Sequence, residues 1–214
     1  MSLSVVVFGA GRFGSAIAME LFQHNVEVMV VDKEYDLVQN IANHVTTAIQ
    51  CDLSDESAVE ELGLSNFDVA VVAIGTNLES SIIALVQAKT YNIPRIIAKA
   101  NSDMQKTVLE QLGANQIIFP ERDMGVRLAR SLSGNNIMEY IHFSDKYSLV
   151  EVKASPSWFG RTLIDLDFRN TYHLNAVAIR RKSEVIISNL GQEVIRDGDM
   201  IILIGETKDI EEFQ

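Results

Sequence analysis

Gly9, Gly11 and Gly14, with Arg12 among them and Asp32 eighteen residues beyond the last, are the residues whose types and spacing could do chemistry here. The chemistry is recognition of phosphate and ribose. Gly9 permits a tight turn, Gly11 lets a backbone come close to a phosphate, and Gly14 lets a helix pack close against a sheet. A pyrophosphate is then held by the free N–H groups and positive dipole end of that helix. A carboxylate at position 32 can accept hydrogen bonds from ribose hydroxyls. Arg12 stands in the first helical turn, where a cation opposes the dipole at a cost of about 0.3–1 kcal/mol. A bound anion would reverse that cost. Arg12 is therefore expected either to meet extra phosphate charge, such as the terminal phosphate of ATP, or to stand in solvent with no role.

These residues act together only if particular elements position them. The apolar run 4–8 must be a strand delivering the chain to Gly9, the following segment a helix, and 26–31 a second strand ending at Asp32. Further apolar runs at 47–50, 69–73, 95–99 and 116–119 recur with helical stretches and short connections between them. They alternate little with polar residues, as strands covered on both faces do. The pattern predicts a doubly wound parallel α/β sheet of six strands. Thr76-x-x-Glu79 and Ser102-x-x-Gln105 have the form of capping boxes opening helices.

The carboxyl ends of such strands face the ligand crevice, which brings further residues into question. Lys33 follows Asp32. Asp52 follows the third strand, where it could reach an adenine amino group or cap the next helix. Ala73, Ile74 and Gly75 end the fourth strand, and a small residue there admits a ribose or base. Lys99 ends the fifth, placed for a phosphate or for a structural ion pair. Glu121 follows Pro120 at the last strand-to-helix junction. It could cap the helix or ligate Mg²⁺ held with nucleotide phosphates. With Phe13 beside Arg12, these residues complete the candidate nucleotide set.

After Pro120 the pattern changes. Residues 121–133 read as a helix with Met124, Leu128 and Leu132 at helical spacing, and 133–136 (Ser-Gly-Asn-Asn) as a breaker. From about residue 140 the signals are short strands (148–152, 176–181, 185–188, 200–204) and turns, including Arg196-Asp197-Gly198-Asp199. The expected division is a nucleotide-binding domain over 1–137, including the helix that crosses out of it, and a small α+β domain over 138–214. A second domain of that size is marginal alone and is expected to pack against a copy of itself or its neighbour.

Composition narrows the partners. The 214 residues carry 18 basic and 29 acidic side chains, a formal charge of −11. That balance argues against nucleic acid and against adsorption to anionic lipid. No apolar run approaches the ~20 residues of a membrane span. The first strand begins too early to leave room for a signal peptide. The single cysteine, Cys51, excludes an internal disulfide, fits a reducing cytoplasm, and is expected to be a buried small hydrophobe. The four histidines (His24, His44, His142 and His173) lack metal-ligand spacing. No nucleophile elbow or Walker loop is present. The absence of catalytic machinery points to a sensor and not a catalyst.

Three stretches together resemble one family. Gly9-Ala10-Gly11-Arg12-Phe13-Gly14, Val72-Ala73-Ile74-Gly75 and 119–125 (Phe-Pro-Glu-Arg-Asp-Met-Gly) are similar to the regulatory subunits of Ktr/Trk-type potassium uptake systems, members of the regulator-of-potassium-conductance (RCK) family. Residues 160–169 and 196–205 resemble that family's C-terminal domain. The resemblance covers essentially the whole chain. It implies a cytoplasmic octameric ring of dimers docked under an integral-membrane potassium channel subunit. It further implies ATP, ADP or in some members NAD(H) in the crevice. Arg12 would sit on the terminal phosphate, Asp32 on the ribose, Asp52 near adenine, and Glu121 on a divalent cation at a dimer interface. The C-terminal domain resembles receptors for cyclic di-AMP, with Asp167, Arg169, Asn175 and Ala176 in the matching segment. Two other readings compete: an NAD-dependent oxidoreductase, and a nucleotide or NAD(H) sensor with a soluble partner.

Overall fold

The computed structural model describes residues 3–75, 77–132, 137–142, 144 and 146–213. They form two compact units, Met1–Arg122 and Asp123–Gln214. The first is a parallel sheet of β1 (Ser4–Phe8), β2 (Glu27–Asp32), β3 (Thr47–Gln50), β4 (Val69–Val72), β5 (Arg95–Lys99) and β6 (Gln116–Ile118). The strand order is β3-β2-β1-β4-β5-β6, the doubly wound order with its switch point beside β1. The expected sheet of six parallel strands is the one observed.

Five helices lie among these strands: α1 (Arg12–Gln23), α2 (Tyr35–Ile41), α3 (Glu56–Glu60), α4 (Leu78–Thr90) and α5 (Asp103–Gln111); α6 (Pro120–Leu132) follows β6. Side chains of one strand feed two cores. Val6 and Phe8 enter the larger, while Val5 and Val7 enter the other. All four are essentially inaccessible to water, which is why the apolar runs did not alternate.

Two helix starts differ in detail from the sequence pattern. Thr76 lies outside the described residues, and α4 is capped by Asn77, whose Oδ1 accepts from the Ser80 N–H. At α5, Ser102 does accept from the Gln105 N–H, but the Gln105 amide oxygen accepts from the N–H of Asn101, not of Ser102. The reciprocal half of the box has moved one residue upstream, leaving the buried Gln105 Nε2 without a partner.

The second unit holds an antiparallel sheet of β7 (Ile137–His142), β8 (Tyr147–Lys153), β9 (Asn175–Arg181), β10 (Glu184–Ile186) and β11 (Asp199–Glu206), in the order β10-β9-β11-β8-β7. The breaker at 133–136 lies outside the described residues, and β7 follows directly after it. Three short helices, α7 (Leu163–Leu166), α8 (Phe168–Tyr172) and α9 (Thr207–Glu212), complete the unit. Along β11 buried Asp199, Ile201, Leu203 and Gly205 alternate with half-buried residues. Trp158, Phe168, Tyr172 and Phe213 form an aromatic cluster in that core, with Trp158 edge-on to Phe168 at 5.0 Å. The expected turn before β11 is present: Gly198 has φ +82° and Asp199 accepts from the Arg196 N–H. Among the described residues no helix is long and apolar enough to cross a membrane.

Candidate functional site

The glycine loop takes its shape from two contacts. Gly9 has φ +104°, a backbone conformation that side chains rarely tolerate. A Cβ on Gly14 would stand 1.9 Å from the Gly9 carbonyl oxygen and 3.0 Å from the Ala73 Cβ, so the helix sits directly on the turn and on the end of β4. Gly11 differs: a Cβ there would meet nothing within 4 Å. It is the N-cap of α1, with no side-chain cap and no acidic residue in the first turn. The helix therefore presents N–H groups beside open space that a ligand oxygen could enter.

Asp32 is placed by this loop as much as it faces a ligand. Its Oδ2 accepts from the Ala10 N–H at 2.6 Å and its Oδ1 from the Glu34 N–H at 2.9 Å. The carboxylate clips the glycine turn to the β2–α2 connection, and each oxygen retains a lone pair that can accept from a hydroxyl. Lys33 is exposed beside it, and its carbonyl accepts from Gln50 Nε2. Asp52 does not cap α3. Its Oδ1 accepts from the Ser54 N–H and Oγ, and Asp55 caps the helix through Ser57 and Ala58. Hydrogen bonds from Ser54, with the nearby charge of Lys33, hold the Asp52 carboxyl below the usual range.

On the other side of β1, Ala73 is buried and Ile74 and Gly75 are half-buried. The Asn101 amide donates to the Gly75 carbonyl. Lys99 is nearly buried, 8% exposed, and its ammonium pairs with Glu121 while lying 5.8 Å from the centre of the Phe13 ring. A Cβ on Gly75 would stand 2.8 Å from Lys99 Nζ. The structure thus brings Phe13, Gly75, Lys99 and Glu121 together. The Lys99 hydrogen bond holds the Glu121 carboxyl below its usual range. Arg12 is exposed at the start of α1 and makes no ion pair among the described residues.

The cation expected on Glu121 belongs to a dimer interface, and within this one chain the Glu121 carboxylate is engaged by the Lys99 ammonium. Among the described residues no group of three or more His, Cys, Asp or Glu side chains is placed to hold a metal. Cys51 is buried as expected, and burial, then Asp52 and Asp55, push its thiol up. His24 caps the C-terminus of α1 and lies 3.2 Å from Glu20.

In the second unit, Asp167 has φ +46° where α7 hands over to α8, and both its oxygens accept from Asn170 Nδ2. Arg169 is exposed and its Nε donates to Asn175 Oδ1 at 2.9 Å. That bond ties the guanidinium through its Nε to the start of β9. Ala176 is half-buried next along β9. Asn175 also lines a cavity of about 460 Å³ with Tyr147, His173, Gly205, Glu206, Lys208 and Asp209. Sequence reasoning missed that cavity and also the roles of Asn101, Glu34 and Gln50, whose hydrogen bonds to or from the backbone no motif announces.

Comparison with known proteins agrees with this architecture. The TrkA-N domain model matches residues 5–120 and the TrkA-C domain model matches residues 147–214. The chain is 42% identical over 214 residues to Ktr system potassium uptake protein C of Bacillus subtilis (strain 168), covering 100% of this chain and 97% of the relative. It is 37% identical to Ktr system potassium uptake protein A of the same organism, covering 97% and 94%. Among solved structures, the GsuK RCK domain superposes with a TM-score of 0.70 at 15% identity, over 100% of this chain and 47% of that one, a likeness of fold. With both domain models matched and identity of this order over the full length, the chain belongs to the Ktr/Trk potassium uptake family, whose fold is that of RCK domains.

Proposed function

We propose that this chain is the nucleotide-binding regulatory subunit of a potassium uptake system and not an enzyme. It works in the cytoplasm, at the inner face of the membrane, through an integral-membrane potassium channel subunit. Homodimers assemble into an octameric ring, and ligands change the shape of that ring. The division of labour follows a nucleotide-binding domain over 1–137 and a regulatory domain over 138–214. The observation that carries the reading is the open N-terminus of α1 at Gly11, with Asp32 clipped to the same loop, in a chain of the Ktr/Trk family.

The residues fit an adenine nucleotide: ATP, ADP or NAD(H). Gly9, Gly11 and Gly14 shape the phosphate cradle. Asp32 accepts from ribose hydroxyls, while Lys33 and Asp52 border the adenosine side. Ala73, Ile74 and Gly75 floor the crevice beyond β1. Such a ligand supplies negative charge that differs by one phosphate between ATP and ADP. Arg12, a cation at the wrong end of a helix dipole, gains most where that extra phosphate is present. Differential affinity for two ring shapes is all that gating requires. In the second unit, Arg169 held by Asn175, with Asp167 and Ala176, is suited to the phosphates of cyclic di-AMP.

Potassium flux into vesicles carrying the channel subunit tests the proposal. Adding this chain should make flux depend on whether ATP or ADP is present. Flux indifferent to the chain, or to the nucleotide, would contradict it.

A further inference from the structure

The β4–β5 ladder stops at Val72 opposite Ala98, and that register, carried three residues on, sets Gly75 opposite Asn101. Where the backbone pairing has ended, a side chain continues it: the Asn101 amide donates to the Gly75 carbonyl. Asn101 is itself held. Its N–H donates to Gln105 Oε1 at 2.9 Å, and the Gln105 N–H donates to Ser102 Oγ at 3.2 Å. The carbonyl one residue earlier is taken in the same way, because the buried Ser81 hydroxyl donates to the Ile74 oxygen at 2.6 Å. Two successive carbonyl oxygens beyond the end of β4 are thus each satisfied by a side-chain donor. This segment adjoins the glycine turn: a Cβ on Gly9 would stand 3.1 Å from Ile74 Cγ1 and 3.3 Å from the Ala73 carbonyl carbon. In the strand order β2-β1-β4, a ligand with its ribose at Asp32 and its phosphates on the turn meets this floor next.

We propose that Asn101 is a positioning residue for nucleotide phosphates, tying down the Gly75 carbonyl so that the crevice floor does not present an acceptor to an anion. This role rests on the reading of the crevice as a nucleotide site. A backbone carbonyl oxygen offers two lone pairs and no proton. Freed of its donor and turned toward a phosphate, it repels the ligand, and the effect is larger away from bulk water. Held by Asn101, the oxygen is engaged by the amide. The repulsion that Asn101 prevents grows with the charge nearby, so one phosphate feels it least and three feel it most. That grading separates positioning from plain support of the fold, which would weaken every nucleotide alike.

Calorimetric titration of the full chain with AMP, ADP and ATP, alongside thermal melts, reads the grading. Asn101→Ala should weaken ATP roughly 3–10-fold, the scale of one neutral hydrogen bond, ADP less, and AMP by less than about twofold. Its melting temperature should stay near that of the parent, since Asn101 is exposed. Asn101→Leu, similar in shape and unable to donate, should show the same grading, so either variant decides if the other does not fold. Equal losses for all three nucleotides, or unchanged ATP binding, with parent binding intact, overturns the role of Asn101 and leaves the nucleotide site standing. A parent chain that binds none of the three overturns both.

Discussion

A Cβ on Gly14 would lie 1.9 Å from the carbonyl oxygen of Gly9, whereas one on Gly11 would touch nothing within 4 Å. Two glycines three residues apart thus have separable roles, one in building the loop and one in leaving it open. Gly14→Ala forces backbone apart at the α1–β1 contact. It should destabilise the first unit by about 3 kcal/mol or more, the upper end of overpacking penalties. Gly11→Ala should fold, with a stability loss near 1 kcal/mol or less as an altered N-cap, and lose ATP binding at least tenfold. Thermal melts alongside titrations check both; equal loss of stability in the two variants would contradict the separation.

Arg12 carries the discrimination by phosphate number in this account. Arg12→Ala should weaken ATP about tenfold or more, the scale of a charge-assisted hydrogen bond, and ADP markedly less. Competition titrations measure the ratio directly. Equal losses for both nucleotides would remove Arg12 from the terminal phosphate.

Arg169 is oriented by Asn175, so the second-unit site should respond to both. Arg169→Ala should weaken cyclic di-AMP about tenfold or more and leave ATP unchanged. Asn175→Ala should give a smaller loss, because the guanidinium remains but is no longer held. Unchanged cyclic di-AMP affinity in Arg169→Ala would dismiss the site.

Asp199 is fully buried and receives two hydrogen bonds of 2.8 Å from Arg181, which also reaches Glu193. Burial pushes the Asp199 carboxyl up, but Arg181 and the Arg196 N–H outweigh it and hold the group below its usual value. A carboxyl lowered on folding stabilises the protein above its unfolded pKa, about 3.9. That stabilisation is lost as the pH falls through the folded value. Asp199→Asn should cost about 3 kcal/mol at neutral pH, since it leaves Arg181 partly unpaired, and should flatten the acid limb of the stability profile below about pH 4. Denaturant melts from pH 7 to pH 3 would show it; an unaltered acid limb would contradict the assignment.

The parts of this molecule legible in the sequence are those encoded locally. β1, β2 and β4 were readable because Val5, Val6, Val7 and Phe8, and their counterparts, are buried on both faces of the sheet. Gly9 and Gly14 were readable because their spacing expresses one turn and one close contact. Legibility failed where a side chain chose between near neighbours. Asp55, and not Asp52, caps α3, and Gln105 reaches Asn101 in place of Ser102. Several carboxylates or backbone N–H groups within a few residues can satisfy the same cap, so pattern alone does not choose among them. It failed also for Lys99 and Glu121, twenty-two residues apart. Each has a sound local role, and only the fold that sets β5 beside β6 shows that they meet.

The measurement that bears most directly on the central claim is a calorimetric titration of the purified chain with ATP, ADP and NADH in the presence of Mg²⁺. A nucleotide-responsive regulator predicts tight binding of ATP and ADP, with distinct heats, and weaker binding of NADH. A clear preference for NADH with no binding of ATP would contradict the role given to Arg12 and point to a redox sensor.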